Sequence, residues 1–589
     1  MVVTSSKSPE LVGEATAFAG SISGREILES PSLSLDDALR QIPGFSLFRR
    51  TGSLASHPTT QGVSLRGIGP SGASRTLVLY DGIPLNDPFG GWVYWNRLPR
   101  LALDRVEIVR GASSQLYGSS SLGGTIQLLT RRPEGRRLSL VGTGGGLESI
   151  DTEVLLEEAW SDTSLLAGGR FLDTEGFYSI DPDVRGEVDR PLNHRFGNLV
   201  SKIFHRGWHL GVNHYEDRRG NGTRLQTNRS RMTLLEGGLQ QPRWGFGFYY
   251  QWGLLESRFS RVTPDRSEEF LTADQQFESD AIGASLTVTP GEGWLVGSDW
   301  RRVVWDVYDQ NLWGAFVQKH VPVRPGVELQ GGARLDLWEN NEAQAALSPR
   351  VGILWRAMDR AHLRASAYQG FRAPTLNELY RPFQVGNVRT LPNPGLGSEQ
   401  LWGVESGIDF FPSEQLLVRA NVFLNRLEDS VGNVTVSVEG GQIIRRRENL
   451  GPVDITGVEL EGALRASAQW QIDLAYLYSS SEVRETGLRL PQVPLHQATG
   501  GVRWLGPVTV ITQARFLSGQ YDDDLNQFRL GGFGVWDLSI RRALDERLEV
   551  YLAAENLLDR RFVTALTPDE RIGEPRRIYG GLRVILDLR

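Results

Sequence analysis

The sequence contains no cysteine, and this absence removes several classes of function at once. Without cysteine the chain forms no disulfide, has no thiolate nucleophile and holds no cysteine-ligated zinc or iron–sulfur centre. The 8 histidines are scattered and show no paired spacing typical of a metal site, and no G-x-S-x-G motif marks a nucleophilic serine. We therefore predict no catalytic residues, no bound metal and no cofactor, and we expect that the protein is not an enzyme.

Long apolar runs are also missing. A membrane-spanning helix needs about 18 or more apolar residues, whereas the longest runs here are short segments such as Val351–Trp355. Met1 is followed by Val2-Val3-Thr4, without the basic and apolar lead-in of a secretory signal. Taken alone, these two absences indicate a cytosolic protein.

Glycine and aromatic residues are abundant, with 67 Gly, 16 Trp, 15 Tyr and 23 Phe in 589 residues. Glycine thus exceeds its usual share of about 7%. The 63 basic and 70 acidic residues give a net charge of −7. An acidic balance of this kind does not favour a nucleic-acid partner.

Up to about residue 133 the pattern predicts a small mixed domain. Ser34–Ile42 has a capping serine and apolar positions at helical spacing. Gly111–Gly124 is rich in glycine and serine, as phosphate-binding turns often are, but it lacks both G-x-x-x-x-G-K-[ST] and G-x-G-x-x-G. We interpret it as a set of tight turns that let the backbone pack closely. Short strands are predicted at Gly62–Arg66, Thr76–Tyr80, Arg105–Val109 and Thr125–Leu129.

After Pro133 the helical period disappears and apolar and polar residues alternate in many successive segments. Such alternation, with charged residues on one face and aromatics near the ends of the other, is typical of a transmembrane β-barrel. Roughly 455 residues at about 20 per strand and loop predict about 22 strands. A soluble multi-sandwich or β-helix protein is the alternative. In Leu416–Arg426, the residues on one face are Leu416, Val418, Ala420, Val422 and Leu424.

Several motifs, in a specific order and spacing, connect these two parts. Those of the first part are Leu65–Arg75, Val78–Asn86, Val106–Gly111, Tyr117–Gly118 and Gly123–Gly124, and those of the second part are Phe371–Tyr380, Asn393–Glu399, Glu448–Gly451, Gly457–Glu461 and Glu555–Asp559. On these residues the chain resembles a TonB-dependent outer-membrane receptor over nearly its whole length. The resemblance implies a mainly β fold, an antiparallel transmembrane barrel of about 22 strands with a small α+β plug in its lumen.

The resemblance divides the chain into a TonB-contacting segment and linker (1–20), a plug (21–133) and a barrel (134–589). It implies a monomer in the outer membrane of a Gram-negative-type bacterium, surrounded by lipid. Its partner would be TonB, the energy-transducing complex of the inner membrane. The cargo would be a scarce nutrient, a ferric siderophore or a similar metal chelate such as cobalamin. A passive porin-like or adhesive barrel is the alternative.

The two ends of the chain differ from the usual pattern of the family. Val2, Val3, Thr4 and Ser5 look like a shortened TonB-contacting segment, and a disordered tail is the alternative interpretation. We expect a mature chain whose signal peptide was removed or not included. Family members usually close on an aromatic residue, so we expect the natural chain to continue beyond Arg589 by one Phe.

The ligand is expected to bind at the outer end of the plug and on the external loops. Asn86, Asp87, Trp92, Tyr94 and Trp95 are predicted to form a contact floor for it, with ordinary core packing as the alternative. Asp522-Asp523-Asp524 is interpreted as a solvated loop tip, with calcium binding as the alternative.

The plug is expected to be held in the lumen by polar contacts that water can replace. Arg66, Arg75 and Arg110 are predicted to face lumen carboxylates such as Glu459 and Glu461. The alternative for each is ordinary solvated surface charge.

Overall fold

A computed structural model describes residues 2–3, 7, 10–11, 15–69, 72–339, 343–385, 388–440 and 442–588. Among these residues no helix is both long and apolar enough to cross a membrane. The fold consists of a small mixed domain, which we call the plug, and a closed β-barrel around it.

The plug is built from short elements. Its helices are α1 (Gly24–Glu29), α2 (Leu35–Leu39) and α3 (Ser114–Tyr117), and 3-10 turns lie at Phe48–Arg50, Pro58–Thr60, Trp95–Arg97 and Arg100–Ala102. Its strands are β1 (Val2–Val3), β2 (Glu10–Leu11), β3 (Phe18–Ser23), β4 (Ser46–Leu47), β5 (Val63–Ser64), β6 (Leu77–Tyr80), β7 (Ile83–Pro84), β8 (Leu103–Arg110) and β9 (Gly124–Thr130).

A five-stranded sheet in the order β3-β8-β9-β6-β7 forms the centre of the plug, with β6 and β9 parallel. Three of the four predicted strands are β6, β8 and β9 of this sheet, whereas the strand predicted at Gly62–Arg66 is reduced to β5, which pairs with β4 outside it. Helix α2 begins at the predicted capping residue, Ser34, whose hydroxyl accepts from the Asp37 amide. The turn region Gly111–Gly124 contains α3, which the sequence did not predict. This helix has four residues and no side-chain cap, so it leaves no periodic signal.

The remaining strands run from β10 to β39, with one helix, α4 (Leu376–Tyr380), and a 3-10 turn at Pro182–Val184. They are β10 (Arg137–Gly145), β11 (Ser149–Trp160), β12 (Thr163–Thr174), β13 (His194–His205), β14 (Trp208–Gly220), β15 (Thr227–Gln241), β16 (Trp244–Val262), β17 (Glu269–Val288), β18 (Trp294–Trp305), β19 (Tyr308–Arg324), β20 (Val327–Glu339), β21 (Ala343–Met358), β22 (Ala361–Arg372), β23 (Phe383–Val385), β24 (Val388–Leu391), β25 (Glu399–Ser413), β26 (Leu416–Glu428), β27 (Ser430–Glu439), β28 (Gln442–Leu450), β29 (Val453–Arg465), β30 (Trp470–Val483), β31 (His496–Leu505), β32 (Thr509–Leu517), β33 (Gln520–Tyr521), β34 (Arg529–Leu530), β35 (Phe533–Ala543), β36 (Leu548–Glu555), β37 (Val563–Ala565), β38 (Arg571–Ile572) and β39 (Arg577–Asp587).

Twenty-two of these strands close into one antiparallel barrel, which confirms the predicted fold class. Each barrel strand pairs with its neighbour along the chain, and the first and last strands, β10 and β39, pair with each other. Closure leaves no strand edge exposed, as a barrel in a hydrocarbon layer requires. The strands outside the barrel are β23, β24, β27, β28, β33, β34, β37 and β38, all of which lie in loops.

The two faces of the barrel wall differ as the alternation predicted. In β26, Val418, Val422 and Leu424 are exposed on the outside, whereas Arg419 and Asn421 are buried in the lumen. Exposed tryptophans mark the end of the barrel that has short turns, as an interfacial aromatic girdle does. They are Trp160, Trp208, Trp244, Trp294 and Trp470.

Long loops occupy the other end of the barrel and fold inward over the plug. The loop after β22 contributes α4, β23 and β24, and the loop after β26 contributes β27 and β28. Together they form a four-stranded sheet in the order β23-β24-β28-β27. In outer-membrane barrels the short turns are periplasmic and the long loops extracellular, so this loop sheet covers the outer mouth.

Candidate functional site

The contact between plug and barrel centres on Arg66, which is fully buried. Its guanidinium lies 2.6 Å from Glu405 and 2.8 Å from Glu459, two carboxylates of the lumen wall. The same side chain stacks against Phe423 at 4.9 Å. Arg66 has a left-handed backbone with φ of 54°, and two carboxylates together with an aromatic face hold it there.

Arg110 extends this contact to the neighbouring positions of β29. It lies 2.6 Å from Glu461 and 3.7 Å from Glu459. Phe18, at the start of β3, is surrounded by guanidinium groups, with Arg110 at 4.8 Å and Arg419 at 4.1 Å from its ring. The structure thus brings four of the five predicted contact residues together, and it adds Glu405, which the sequence analysis did not single out.

The fifth predicted residue, Arg75, makes a separate contact nearer the loops. It lies 2.7 Å from Glu399 and donates to the Gly69 carbonyl at 2.7 Å. Glu399 also pairs with Arg372, which binds Glu378 of α4 through two bonds of 2.8 and 2.9 Å. A chain of buried charges therefore links the plug to an extracellular loop.

Further ion pairs lie on the opposite wall and were missed by the sequence analysis. Arg100 lies 2.8 Å from Glu153 and 3.2 Å from Asp151. Lys202 pairs with Asp81 of the plug and lies 2.9 Å from Glu236. Each partner is several strands away in the sequence, so no local motif connects them.

The predicted ligand contacts all lie in one plug loop, and all are buried. Asn86 accepts from the Val78 amide at 2.7 Å, and Asp87 accepts from the Gly90 amide at 2.8 Å. Burial raises the pKa of Asp87 to about 6. These two side chains fix the shape of the loop.

The three predicted aromatic contacts pack as core in this structure. Trp92 and Trp95 are each 1% exposed and Tyr94 is 2% exposed. Tyr94 packs on Tyr215 of the wall at 5.9 Å. The loop lies directly beneath α4, since the Asn377 amide donates to the Phe89 carbonyl at 3.0 Å. Helix α4 therefore covers this loop in the structure.

Two adjoining cavities lie between the plug and strands β31 to β36. Arg40, Arg50 and Arg515 line both of them. One continues to Asp537 and Glu574, and the other continues to Gln497 and Phe533. Burial lowers the pKa of Arg50 to about 10, and its guanidinium donates to the carbonyls of Gly531 (2.8 Å) and Ser518 (3.3 Å).

Two further predictions concerned the N-terminal segment and the run of aspartates Asp522-Asp523-Asp524. Val2 and Val3 pair with Leu11 and Glu10, while Thr4 and Ser5 lie outside the described residues. In the run, Asp522 accepts from the Leu566 and Thr567 amides, and Asp523 accepts from the Phe528 amide. In the part of the chain that the structure describes, no group of three or more His, Asp or Glu residues is arranged to hold a metal ion.

Both the plug and the barrel match known protein families. Residues 13–125 match the TonB-dependent receptor plug domain, and residues 157–557 match the TonB-dependent receptor-like β-barrel. The vitamin B12 transporter BtuB of Vibrio vulnificus is 31% identical over 186 residues, which span 31% of this chain but only 29% of that protein. An iron-regulated outer membrane virulence protein of Vibrio cholerae is 24% identical over 561 residues, 86% of this chain and 82% of that protein.

The solved structures include barrels of the same architecture. The siderophore receptor PirA from Acinetobacter baumannii superposes with a TM-score of 0.78, covering 96% of this chain and 98% of that chain. At 14% identity, the likeness shows a common fold and no more.

Proposed function

Since the chain belongs to the TonB-dependent receptor family and lies in the outer membrane, we propose that it is an energised importer of a metal chelate. Its parts would be a TonB-contacting segment and linker (1–20), the plug (21–133) and the barrel (134–589). Its ligand would be a ferric siderophore or a related chelate such as cobalamin. Relatives named as a vitamin B12 transporter and an iron-regulated outer membrane virulence protein support this class of cargo.

The main support for this proposal is that the plug fills the lumen of the barrel. Plug and wall share hydrophobic clusters, such as the one that joins Ile108 and Ile126 of the plug to Leu155 and Val200 of the barrel. Buried ion pairs from Arg66, Arg75 and Arg110 fix the plug further. Passive diffusion through such a lumen is blocked, which argues against the porin-like alternative.

Opening this lumen requires work from outside the chain. A chelate bound at nanomolar affinity is held by about 12 kcal/mol, and the plug contacts must be exchanged as well. We assign the delivery of this work to Val2, Val3, Thr4 and Ser5. An extended segment of this kind adds to a sheet edge of a partner such as TonB through main-chain hydrogen bonds.

The segment from Asn86 to Trp95 is our proposed floor of the ligand chamber. Asn86 and Asp87 set the backbone, and Trp92, Tyr94 and Trp95 give the loop its rigid base. The cover over it, α4, ends the chain of charges from Arg75 through Glu399, Arg372 and Glu378. A movement of α4 away from the plug would therefore have two effects at once. It would expose the loop, and it would weaken the contact between the plug and the barrel wall.

Deletion of residues 1–6 tests the proposal. In cells that supply the chelate as the only iron or cobalt source, we expect the deletion to abolish uptake. Binding of the same chelate to the purified protein should be unchanged, because no ligand contact is removed. Uptake that continues at the wild-type rate would favour the passive barrel instead.

A further inference from the structure

Three arginines form a row on the lipid-facing wall of the barrel. In the register of the barrel, Arg195 of β13 lies opposite Arg218 of β14, which in turn lies opposite Arg229 of β15. Their neighbours along the strands, His194 and Asn228, are buried in the lumen, so the alternation of each strand directs the arginines outward. Side chains of like charge directly opposite one another on adjacent strands are destabilising, and this row contains two such pairs.

The two ends of the row are balanced by carboxylates. Arg195 pairs with Asp173 of β12, and Glu175 adds a second negative charge nearby. At the other end, Arg229 lies 4.0 Å from Glu256 of β16. The repulsion within the row is therefore partly offset at each end by the wall itself.

The centre of the row lacks such a partner. Among the described residues, the one ion pair of Arg218 is with Glu216 at 3.7 Å, which is longer than a hydrogen bond. Glu216 also lies 2.7 Å from Arg229 and 3.6 Å from Arg231, so one carboxylate serves three guanidinium groups. The side chain of Arg218 is 67% exposed. Its donors are therefore open to an acceptor from outside the protein.

The row lies at the height where lipid head groups begin. Arg218 is ten residues from Trp208 along β14, and Trp208 belongs to the aromatic girdle at the end of the barrel with short turns. With a rise of about 3.4 Å per residue and a tilt of about 40°, the two residues are separated by about 26 Å along the membrane normal. The apolar band of an outer-membrane barrel is about 25 Å tall, so the row lies at the outer interface.

Between the row and the tryptophan girdle the wall is largely apolar. Leu199, Leu210 and Leu235, which belong to the same three strands, are 50%, 55% and 49% exposed. Phe171 of β12 is exposed beside them. A lipid whose head group meets the row would place its acyl chains against these side chains, which a free anion would not do.

Another part of the wall shows the usual arrangement of charges. Arg426 of β26 lies directly opposite Asp454 of β29, at 3.0 Å. Asp454 also lies 2.9 Å from Arg484. Each of these two guanidinium groups thus has a carboxylate within hydrogen-bond distance, whereas Arg218 has none among the described residues.

We propose that Arg195, Arg218 and Arg229 bind the phosphate group of a lipid in the outer leaflet, with Arg231 adding positive charge beside them. Guanidinium groups match phosphate oxygens through parallel hydrogen bonds, and basic clusters at the height of the head groups are sites of this kind. A phosphate placed over the row would replace the repulsion of two like-charged pairs by attraction to a shared anion. The site is separate from the lumen and from the proposed transport.

Native mass spectrometry of the purified, delipidated full chain in a neutral detergent tests this inference. The probes are a bis-phosphorylated glucosamine lipid (lipid A), the same lipid with both phosphates removed, and inorganic pyrophosphate. We expect the bis-phosphorylated lipid to bind most tightly. Arg218→Gln should weaken its binding about 10-fold to 100-fold, the range for hydrogen bonds to a charged group. Arg195→Gln should weaken it less, because Asp173 already pairs with that side chain.

Arg426→Gln is the matched control, since it removes an outward arginine that is directly paired with Asp454. It should change the affinity for the bis-phosphorylated lipid by less than about twofold. The heat-dependent electrophoretic mobility of each variant checks that its barrel is folded. Equal affinity of the wild type and Arg218→Gln for this lipid, or an equal loss in Arg426→Gln, would overturn the inference. Equally tight binding of the dephosphorylated lipid or of pyrophosphate to the wild type would overturn it as well.

Discussion

Two flanks of the contact between plug and barrel differ in character. On the paired flank, Arg66 and Arg110 meet carboxylates of β25 and β29 at 2.6–2.8 Å, with aromatic rings around them. On the cavity flank, facing β31 to β36, the contacts are mostly single hydrogen bonds, such as Thr499 to the Gln41 carbonyl at 2.9 Å. Among the described residues, one ion pair between plug and barrel lies on this side, Arg503 with Glu29 at 2.6 Å.

This difference between the two flanks indicates which side of the plug is held more firmly and which side opens more easily. Paired and hydrogen-bonded charges in a buried site cost several kcal/mol to separate. Separating the plug from the barrel costs less free energy on a flank of cavities and single hydrogen bonds. Local opening of a protein begins where this free energy is low. We therefore expect the plug to open toward β31–β36 while the paired flank serves as its anchor.

The largest effect is expected from breaking the anchor. Arg66→Gln removes the nearest cation of the buried Glu405 and Glu459 and leaves only Arg350 at 3.4 Å and Arg110 at 3.7 Å from them. The loss should destabilise the docked plug by about 3 kcal/mol. Hydrogen exchange of plug peptides in the intact protein measures this loss. Arg206→Gln is the control, because the exposed pair of Arg206 with Asp162 should contribute less than about 1 kcal/mol. Equal losses in both variants would remove the distinction between the flanks.

A smaller, pH-dependent effect is expected beside the cavities. Burial and the neighbouring charge of Asp37 raise the pKa of Asp36 to about 6. Because the open state loses its proton near pH 4 and the docked state near 6, the docked state is favoured at low pH and loses this advantage as the pH rises from 4 to 6. Over this pH range the docked state loses about 3 kcal/mol of stability relative to the open state, which corresponds to about a 100-fold loss of protection from hydrogen exchange.

Hydrogen exchange of Leu35–Leu39 at pH 4 and pH 7 checks this sign. Relative to Asp36→Asn, the wild-type protein should lose protection at the higher pH. The exposed carboxylate of Asp104 provides the comparison, and Asp104→Asn should follow the wild type. Parallel profiles for the wild type and Asp36→Asn would show that the Asp36 charge has no part in the weakness of this flank.

The smallest effect concerns motion during transport. The absence of cysteine allows single cysteines at Thr51, which lines a cavity, and at Ser481, whose hydroxyl donates to the Gly67 carbonyl at 2.6 Å on the paired flank. With an active TonB complex, labelling of Thr51→Cys should accelerate about tenfold, equivalent to about 1.4 kcal/mol. Labelling of Ser481→Cys should stay near its resting rate. Acceleration at Ser481→Cys alone would reverse the direction of opening.

The sequence predicted the fold better than the site, for a physical reason. Alternation in Leu416–Arg426 is dictated locally, because each residue faces either lipid or lumen. The plug motifs similarly carry Arg66, Arg75 and Arg110. Their partners follow from register between distant strands, so Glu399 and Glu405 were not identified.

The aromatic loop illustrates what the sequence could not supply. Trp92 and Tyr94 have the composition of a binding surface, but Tyr215 and Phe277 of the wall and α4 cover that loop.

The pairing of the first and last barrel strands fixes the order of assembly. Arg137 of β10 lies opposite Asp587 of β39, so the seam joins residues at opposite ends of the barrel sequence. Contacts so distant in the chain form late, because the intervening segment must be ordered first. Until β39 is in place, β10 presents an unpaired edge, and the plug, which precedes β10, has an open side through which to enter. We therefore expect insertion of the plug to precede closure of the seam between β10 and β39.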